Sequence, residues 1–294
     1  MASKYQGGKM NPSRFSTSQL KFYFLLIPIA LFMLLPLIYI FNHSLKPLDE
    51  LFAYPPRFFV EKPTFQNFIR LFSAGSSTYV PMSRYLLNSI IVTVITILCN
   101  WVVTIMAAYV LSKKRRYRFT GFISKINETA LMFCSTAVAI PTYIIMDSLG
   151  LINSFWSNIL PLIAMPVGLF LVKQFMDQTP DELIEAAVVD GANDFQILWS
   201  IIVPIIKPAI ATVGILTFQA VWNNTATSTL YIQQESLKTF AYYLNTLTMS
   251  TTGNTIIGVG MQAASTVIIF LPNLIIFILL QSQVMDTMAS SGIK

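Results

Sequence analysis

Runs of about 20 residues without a charge restrict this chain more than any other feature, because a stretch of that length and polarity crosses a hydrocarbon layer as a helix. Five such runs stand at 22–41, 85–111, 126–147, 154–172 and 256–284, the third built around an uncharged middle at 129–146. A sixth, 201–222, is weaker, since Lys207 lies a short way in, where its long stem lets the ammonium reach the interface. Of 294 residues, 54% are hydrophobic and 11% charged, and the mean hydropathy is +0.63. A surface facing water on all sides would not tolerate that balance. The expected fold is all-α, a polytopic protein with six transmembrane helices in a lipid bilayer. Pro28, Pro36, Pro141, Pro161, Pro166, Pro208 and Pro272 fall within the runs. These helices should therefore bend and rely on neighbours to satisfy the carbonyls that proline frees.

Charge sets the orientation. With the N-terminus inside, 13 Lys and Arg residues fall on the inner side, among them Lys113, Lys114, Arg115, Arg116 and Arg118. Six fall outside: Lys46, Arg57, Lys62, Arg70, Arg84 and Lys238. The positive-inside rule then places both termini in the cytoplasm, with 1–21 as a cytoplasmic N-terminal segment. The net charge of +6 follows from this topology, and the "KKRRYR" cluster marks an inside loop rather than a nucleic-acid site. The first run is too long for a signal peptide and is followed by no small-x-small cleavage site, so it should be a retained helix. The stretch 42–83, rich in Pro and aromatics, reads as a packed external cap, and 223–254 as a polar external loop with Tyr231, Tyr242 and Tyr243.

Several chemistries are excluded. His43 is the only histidine, which removes the common zinc-hydrolase motifs, and Cys99 and Cys134 lie in apolar runs where a buried thiol is expected. No metal or cofactor site follows. The nearest string to a phosphate-cradling loop, "QGGKM" at 6–10, lacks the first glycine and the hydroxyl, so ATP should not bind this chain. The spans carry no ionisable group well inside, as an ion-coupled transporter would need, and no paired Asp or Ser-His dyad for intramembrane proteolysis.

One polar stretch interrupts the oily pattern: "TPDELIEAAVVDGANDFQILWSIIVP", residues 179–204. Thr179 is expected to cap a helix, with Pro180 in the first turn and Glu182 completing a capping box. Gly191 should end that helix, and Asn193 or Asp194 should cap another running towards Pro204. Helical spacing predicts one face made of Leu183, Ala186, Ala187 and Asp190. Around it Asp177, Asp181, Glu182, Glu185, Asp190 and Asp194 make an acidic knob suited to a basic cleft on a soluble partner. The plainer alternative is a solvated interfacial helix.

The series Glu185-Ala186-Ala187, Gly191, Ile201 and Pro204 resembles the signature loop of the membrane-spanning subunits of ATP-binding-cassette importers. Val203 stands where that family usually has Leu. "SLKP" after the first run, "YLLNSIIVT" in the second and "FQAVWNN" ending the fifth are similar to the shorter permease of carbohydrate importers of the maltose-transporter type, as is the terminal "MASSGIK". The resemblance implies a bacterial cell-membrane transporter subunit, not an enzyme, with 22–294 as the importer transmembrane domain. It implies that loop 179–204 is a coupling helix, with Glu185, Ala186, Ala187, Asp190, Gly191, Ile201 and Pro204 as the coupling residues. It further implies a second homologous permease, two ATPase subunits that hold the ATP and magnesium, an extracellular binding protein, and a sugar or oligosaccharide as substrate.

Hydroxyl-rich ligands need uncharged amides and aromatics, and Asn88, Trp222, Asn223, Asn224 and Gln262, with Asn100 and Asn273, are the candidates for the sugar path. Each of them alone is more readily explained as a helix-to-helix hydrogen bond than as a ligand contact. Most relatives carry an acidic residue after the Trp-Asn pair, where this chain has Asn224, so the sugar stays open. The alternatives are a permease for another solute, or an ion-coupled secondary transporter.

Overall fold

The computed structural model describes residues 20–76, 80–114, 118–134, 136–251 and 257–291. Most of the N-terminal segment 1–21, Arg115 and Arg116 of the basic cluster, and the last three residues of the tail lie outside the described residues. Those described form helices and connecting turns, with no strand among them. The elements that matter below are α1 (Leu20–Leu45), α2 (Gln66–Ser76), α3 (Met82–Lys113), α4 (Arg118–Ala130), α5 (Ala139–Ser148) and α6 (Pro166–Asp177). They continue with α7 (Glu182–Val189), α8 (Asp194–Ile205), α9 (Lys207–Trp222), α10 (Phe240–Thr251) and α11 (Ile257–Ser291).

Among the described residues three helices are long and apolar enough to cross a membrane alone: Phe22–Leu45, Met82–Lys113 and Gly258–Gln281. Two further pairs pass the same test only together. Phe155–Ile163 meets α6 at a 41° bend, and α8 meets α9 at 80°. The count is thus three spans, or up to five with each bent pair taken as one.

Three sequence expectations change here. The run 126–147 is not one helix, because turns at 131–133 and 136–138 stand between α4 and α5. Pro141 in the first turn of α5 favours a helix start there, since its missing N–H would be unbonded in any case. The run 154–172 is broken in the same way around Pro161 and Pro166, and its helix continues to Asp177. In the run 201–222, residues up to Ile205 belong to α8, and the apolar pattern simply continues across the 80° corner. Pro204 and Pro208 bracket that corner and remove two amide donors from it. Lys207 is therefore the exposed first residue of α9 rather than a charge inside a span.

The bundle is held by polar groups facing inward. The buried face of α3 carries Asn88, Ser89, Thr93, Thr96, Asn100 and Thr104 at helical spacing, the small and hydroxylated lining by which membrane helices pack closely. Asn100 Nδ2 donates to the Ile163 carbonyl at 2.6 Å, and its Oδ1 accepts from Thr217 Oγ1 at 3.2 Å. That carbonyl sits at the helix break before Pro166, so Asn100 satisfies a group that the break would leave bare. Where α9 crosses α3, Gly214 lies against Trp101. A Cβ there would stand 2.8 Å from the indole ring. α11 packs along α1, α9 and α10.

The segment between α1 and α3 is packed, as its composition suggested. Asn67 of α2 is buried and donates to the carbonyls of Ser44 at 3.0 Å and Lys46 at 2.8 Å. The Glu50 carboxylate accepts from the amides of Glu61 at 3.1 Å and Lys62 at 2.7 Å, and the buried Lys46 ammonium donates to the Arg57 carbonyl. At the same end of the bundle Lys238 is held by Glu235 at 2.5 Å and the Tyr242 hydroxyl at 3.0 Å. Burial works against its charge, but those two bonds outweigh it and raise its pKa.

Candidate functional site

The polar loop is built at the C-terminal end of α3. α7 begins at Glu182 with Asp181 at its cap position, so the expected capping box of Thr179 with Glu182 does not form. Thr179 is buried, and its hydroxyl points back to the Phe175 carbonyl at the end of α6, 3.4 Å away. α7 ends in a Schellman turn. Gly191 has φ +84°, its N–H donates to the Val188 carbonyl at 3.0 Å, and the Ala192 N–H donates to the Ala187 carbonyl at 2.9 Å. Only glycine occupies that left-handed position without strain. Asn193 then caps α8. Its side chain accepts from the Gln196 amide, and the Gln196 side chain accepts from the Asn193 amide, both at 2.9 Å. Further along α8 the turns widen to a π-helix over Ile197–Ile202, directly before Pro204, whose lack of an N–H removes the bond that a regular turn would make to the Ser200 carbonyl.

The expected face of α7 splits in two. Ala187 is buried in the apolar cluster that also holds Ile105, Ala108 and Tyr109 of α3, and Ile184 packs against that cluster. The exposed crest is instead Glu182, Glu185, Ala186 and Val189, with Val189 87% exposed, while Leu183 and Asp190 flank it. Ile201 is half-buried against the same core, and Pro204 is exposed.

The acids also divide. Asp177 accepts from Ser112 at 2.5 Å and pairs with Lys173 at 2.9 Å; Asp181 pairs with Lys113 at 2.6 Å; Asp194 pairs with Lys114 at 2.8 Å. The hydrogen bond from Lys114 holds the Asp194 carboxyl below the ordinary carboxylate range. Among the described residues Glu182, Glu185 and Asp190 form no ion pair, so the part of the acidic knob left for a partner is half of what composition suggested. No local pattern signals these pairings, because Lys113 and Lys114 read simply as topology.

The proposed sugar residues are dispersed. Asn88 is buried and donates to the carbonyls of Ser236 at 2.8 Å and Lys238 at 2.9 Å, anchoring the loop before α10. Asn224 precedes the short helix Ala226–Tyr231, and its Oδ1 accepts from the Thr227 amide at 2.9 Å. The Trp222 indole donates to the Ile269 carbonyl at 3.2 Å, and Gln262 is exposed on α11 one turn before Thr266. Asn223 behaves differently: its Oδ1 accepts from Asn273 Nδ2 at 3.0 Å, and the two amides share a groove of about 420 Å³ with Gln219, Thr266, Ile269 and Phe270. Its volume lies within the range of about 300–1,000 Å³ usual for small-molecule sites, and its polar lining is uncharged. Gln219 and Thr266 were not singled out in the sequence. Gln219 lies one helical turn before Asn223 in the quoted "FQAVWNN", and that spacing was the available signal.

Comparison with known proteins bears on the chain as a whole. Residues 102–284 match the family model described as binding-protein-dependent transport system inner membrane component. The chain is 30% identical over 268 residues to the probable ABC transporter permease protein YurM of Bacillus subtilis (strain 168), covering 88% of this chain and 83% of that one. It is 28% identical to the arabinooligosaccharides transport system permease protein AraQ of the same organism, covering 90% and 93% of the two chains. It is 26% identical to the sulfoquinovosyl glycerol transport system permease protein SmoH of Agrobacterium fabrum (strain C58 / ATCC 33970), covering 89% of each. In fold it is similar, with a TM-score of 0.74 at 23% identity over 92% of this chain and 99% of the other, to a chain in the crystal structure of a bacterial ABC transporter involved in the import of the acidic polysaccharide alginate.

Proposed function

We propose a function from one premise: the chain belongs to the family of binding-protein-dependent transport system inner membrane components. It is a multi-pass cell-membrane protein and a permease subunit of an ABC transport system, not an enzyme. On this reading it forms, with a second homologous permease, the path for a sugar or oligosaccharide delivered by an extracellular binding protein. ATP and magnesium are held by two cytoplasmic ATPase subunits. The membrane path has six crossings, with α4 and α5 together making the third, and both termini lie in the cytoplasm as the 13-to-6 distribution of basic residues requires. The domain assignment follows: 1–21 is a cytoplasmic segment and 22–294 the transmembrane domain.

The observation that carries this reading is the exposed crest of α7. Two carboxylates that form no ion pair among the described residues, Glu182 and Glu185, stand beside Ala186 and Val189 at the end of a membrane bundle, on a helix that ends at the Gly191 corner. Such a surface offers a basic cleft both charge and close approach. A sugar is favoured over a charged solute because the Gln219, Asn223, Thr266 and Asn273 lining has hydrogen-bonding capacity and no charge.

The test is reconstitution in proteoliposomes with the second permease, the ATPase and the binding protein. The expected result is ATP hydrolysis stimulated by binding protein loaded with a neutral oligosaccharide, and none by this chain alone. Stimulation by charged solutes only would overturn the sugar, and no ATP-dependent uptake of any solute would overturn the importer. A cysteine at Val189 should react with an impermeant reagent only in broken cells, and labelling of intact cells would overturn the topology.

A further inference from the structure

The corner that carries the crest is tied down more firmly than docking alone requires. The last turns of α3 present Tyr109, Ser112, Lys113 and Lys114, and these residues reach aspartates in three different elements. Ser112 bonds Asp177 at the end of α6, Lys113 bonds Asp181 at the cap of α7, and Lys114 bonds Asp194 at the start of α8. Tyr109 adds a second bond to Asp194 at 3.2 Å. Gly191 lies in sequence between Asp181 and Asp194, so the glycine corner is bracketed by two pins on one straight helix.

The two pins differ in setting. Lys114 and Asp194 are 39% and 61% exposed, an ordinary surface pair. The Lys113 side chain is only 6% exposed and also donates to the Thr179 carbonyl at 2.6 Å, so its ammonium is sheltered and doubly bonded. A positive charge in the last turn of α3 also suits the carbonyl end of that helix. Between the pins, Ala187 of α7 belongs to the apolar cluster that also holds Ile105, Ala108 and Tyr109 of α3, with Ile184 packed against it, and grooves of about 220 and 430 Å³ open beside it between α3 and the starts of α7 and α8. The ion pairs at the edges are the ties that cross those grooves.

We propose that Lys113 and Lys114 are positioning residues that lock α7 and the start of α8 to α3, so that movement of the docked loop passes into the α3 span as one rigid body. This rests on the importer reading above, in which α7 is the docking element. Without the pins, the glycine corner would flex and the movement would be taken up there.

The test uses the complete transporter with its ATPases, the native cysteines replaced, and spin labels at Val110 on α3 and Val188 on α7. Val188 lies beside the buried Ala187, off the docking crest. With the two lysines present, the distance distribution between the labels should be narrow and the same without nucleotide and with magnesium-ATP trapped by vanadate. In the Lys113→Gln, Lys114→Gln double variant it should broaden and shift when ATP is trapped, whereas Lys113→Arg should keep it narrow, as a purely structural lysine would not require. An ATP-dependent shift in the parent protein, or a double variant identical to the parent, overturns the pin. A parent complex that retains no ATPase overturns the importer reading first, and the pin with it.

Discussion

At the C-terminal end of α3 the polar groups are charged, and half of the acids in the loop form no ion pair among the described residues. In the groove between α9 and α11, and above it at the N-terminal end of α3, the polar groups are amides, most of them bonded to backbone of the same chain. The difference follows from the medium. In water an unpaired carboxylate costs nothing and remains available to a partner, whereas inside a membrane bundle most polar groups bond within the chain, Thr93, Thr96 and Trp101 being exceptions among the described residues. A carboxylate left without an ion pair is therefore a candidate for docking, and an amide within a span is a poor sign of a ligand site. Asn88, Asn100 and Asn224 serve loops and helix breaks; only Asn223 of the five amides and aromatics proposed first lies in the groove.

The largest effect expected from this contrast is at Gly191. A Cβ there meets nothing within 4 Å, so any penalty is purely conformational, roughly 1 kcal/mol or more for a non-glycine residue at positive φ and greater for a branched one. Gly191→Val should leave the protein in the membrane, weaken retention of the ATPase and abolish solute uptake, read by co-purification and by radiolabelled uptake. Gly214→Val probes the bundle instead. Its Cβ would meet Trp101 at 2.8 Å, and overpacking of this kind costs about 1–3 kcal/mol. The expected result is a lower melting temperature in detergent, with uptake falling only as folded protein falls.

A smaller pair of changes separates ligand contact from scaffolding. Asn223→Ala should reduce uptake with little change in melting temperature. Asn88→Ala should lower the melting temperature by removing two bonds worth about 1 kcal/mol together and leave uptake per folded molecule near normal. The opposite assignment would mean that the groove is not the path. The smallest effect concerns Asp194. Its folded pKa is lowered by Lys114, so the pair stabilises above the ordinary carboxylate value of about 4 and is lost as the pH falls through the lowered value. Because both groups are largely exposed, the contribution is within about 1 kcal/mol. Lys114→Gln should flatten the acid limb of thermal stability by that amount, measured below about pH 4.

The loop was legible because its signals are local. Gly191 as a helix end and Asn193 as one of two offered caps are read within a few residues, and both form; the partner role of Gln196 was not read. Thr179 was misleading because its cap role depended on where the chain arrives from. Coming off α6, its hydroxyl is nearer to Phe175 than to the new helix. The direction of the α8 to α9 corner was hidden for a related reason, since hydropathy is the same on both sides of a bend and only Pro204 and Pro208 hint at it. The burial of Ala187 depends on α3, about 80 residues earlier in the chain, and no local pattern carries it.

The central claim is that the crest of α7 is the surface that an ATPase subunit grips. A photo-activated cross-linker placed at Val189, a largely exposed residue of the crest, in membranes containing the whole transporter tests it directly. The expected product is a covalent adduct with the ATPase subunit, lost in Gly191→Val. A cross-linker at Val189 that reacts only with lipid or water, while the same transporter takes up solute normally, would contradict it.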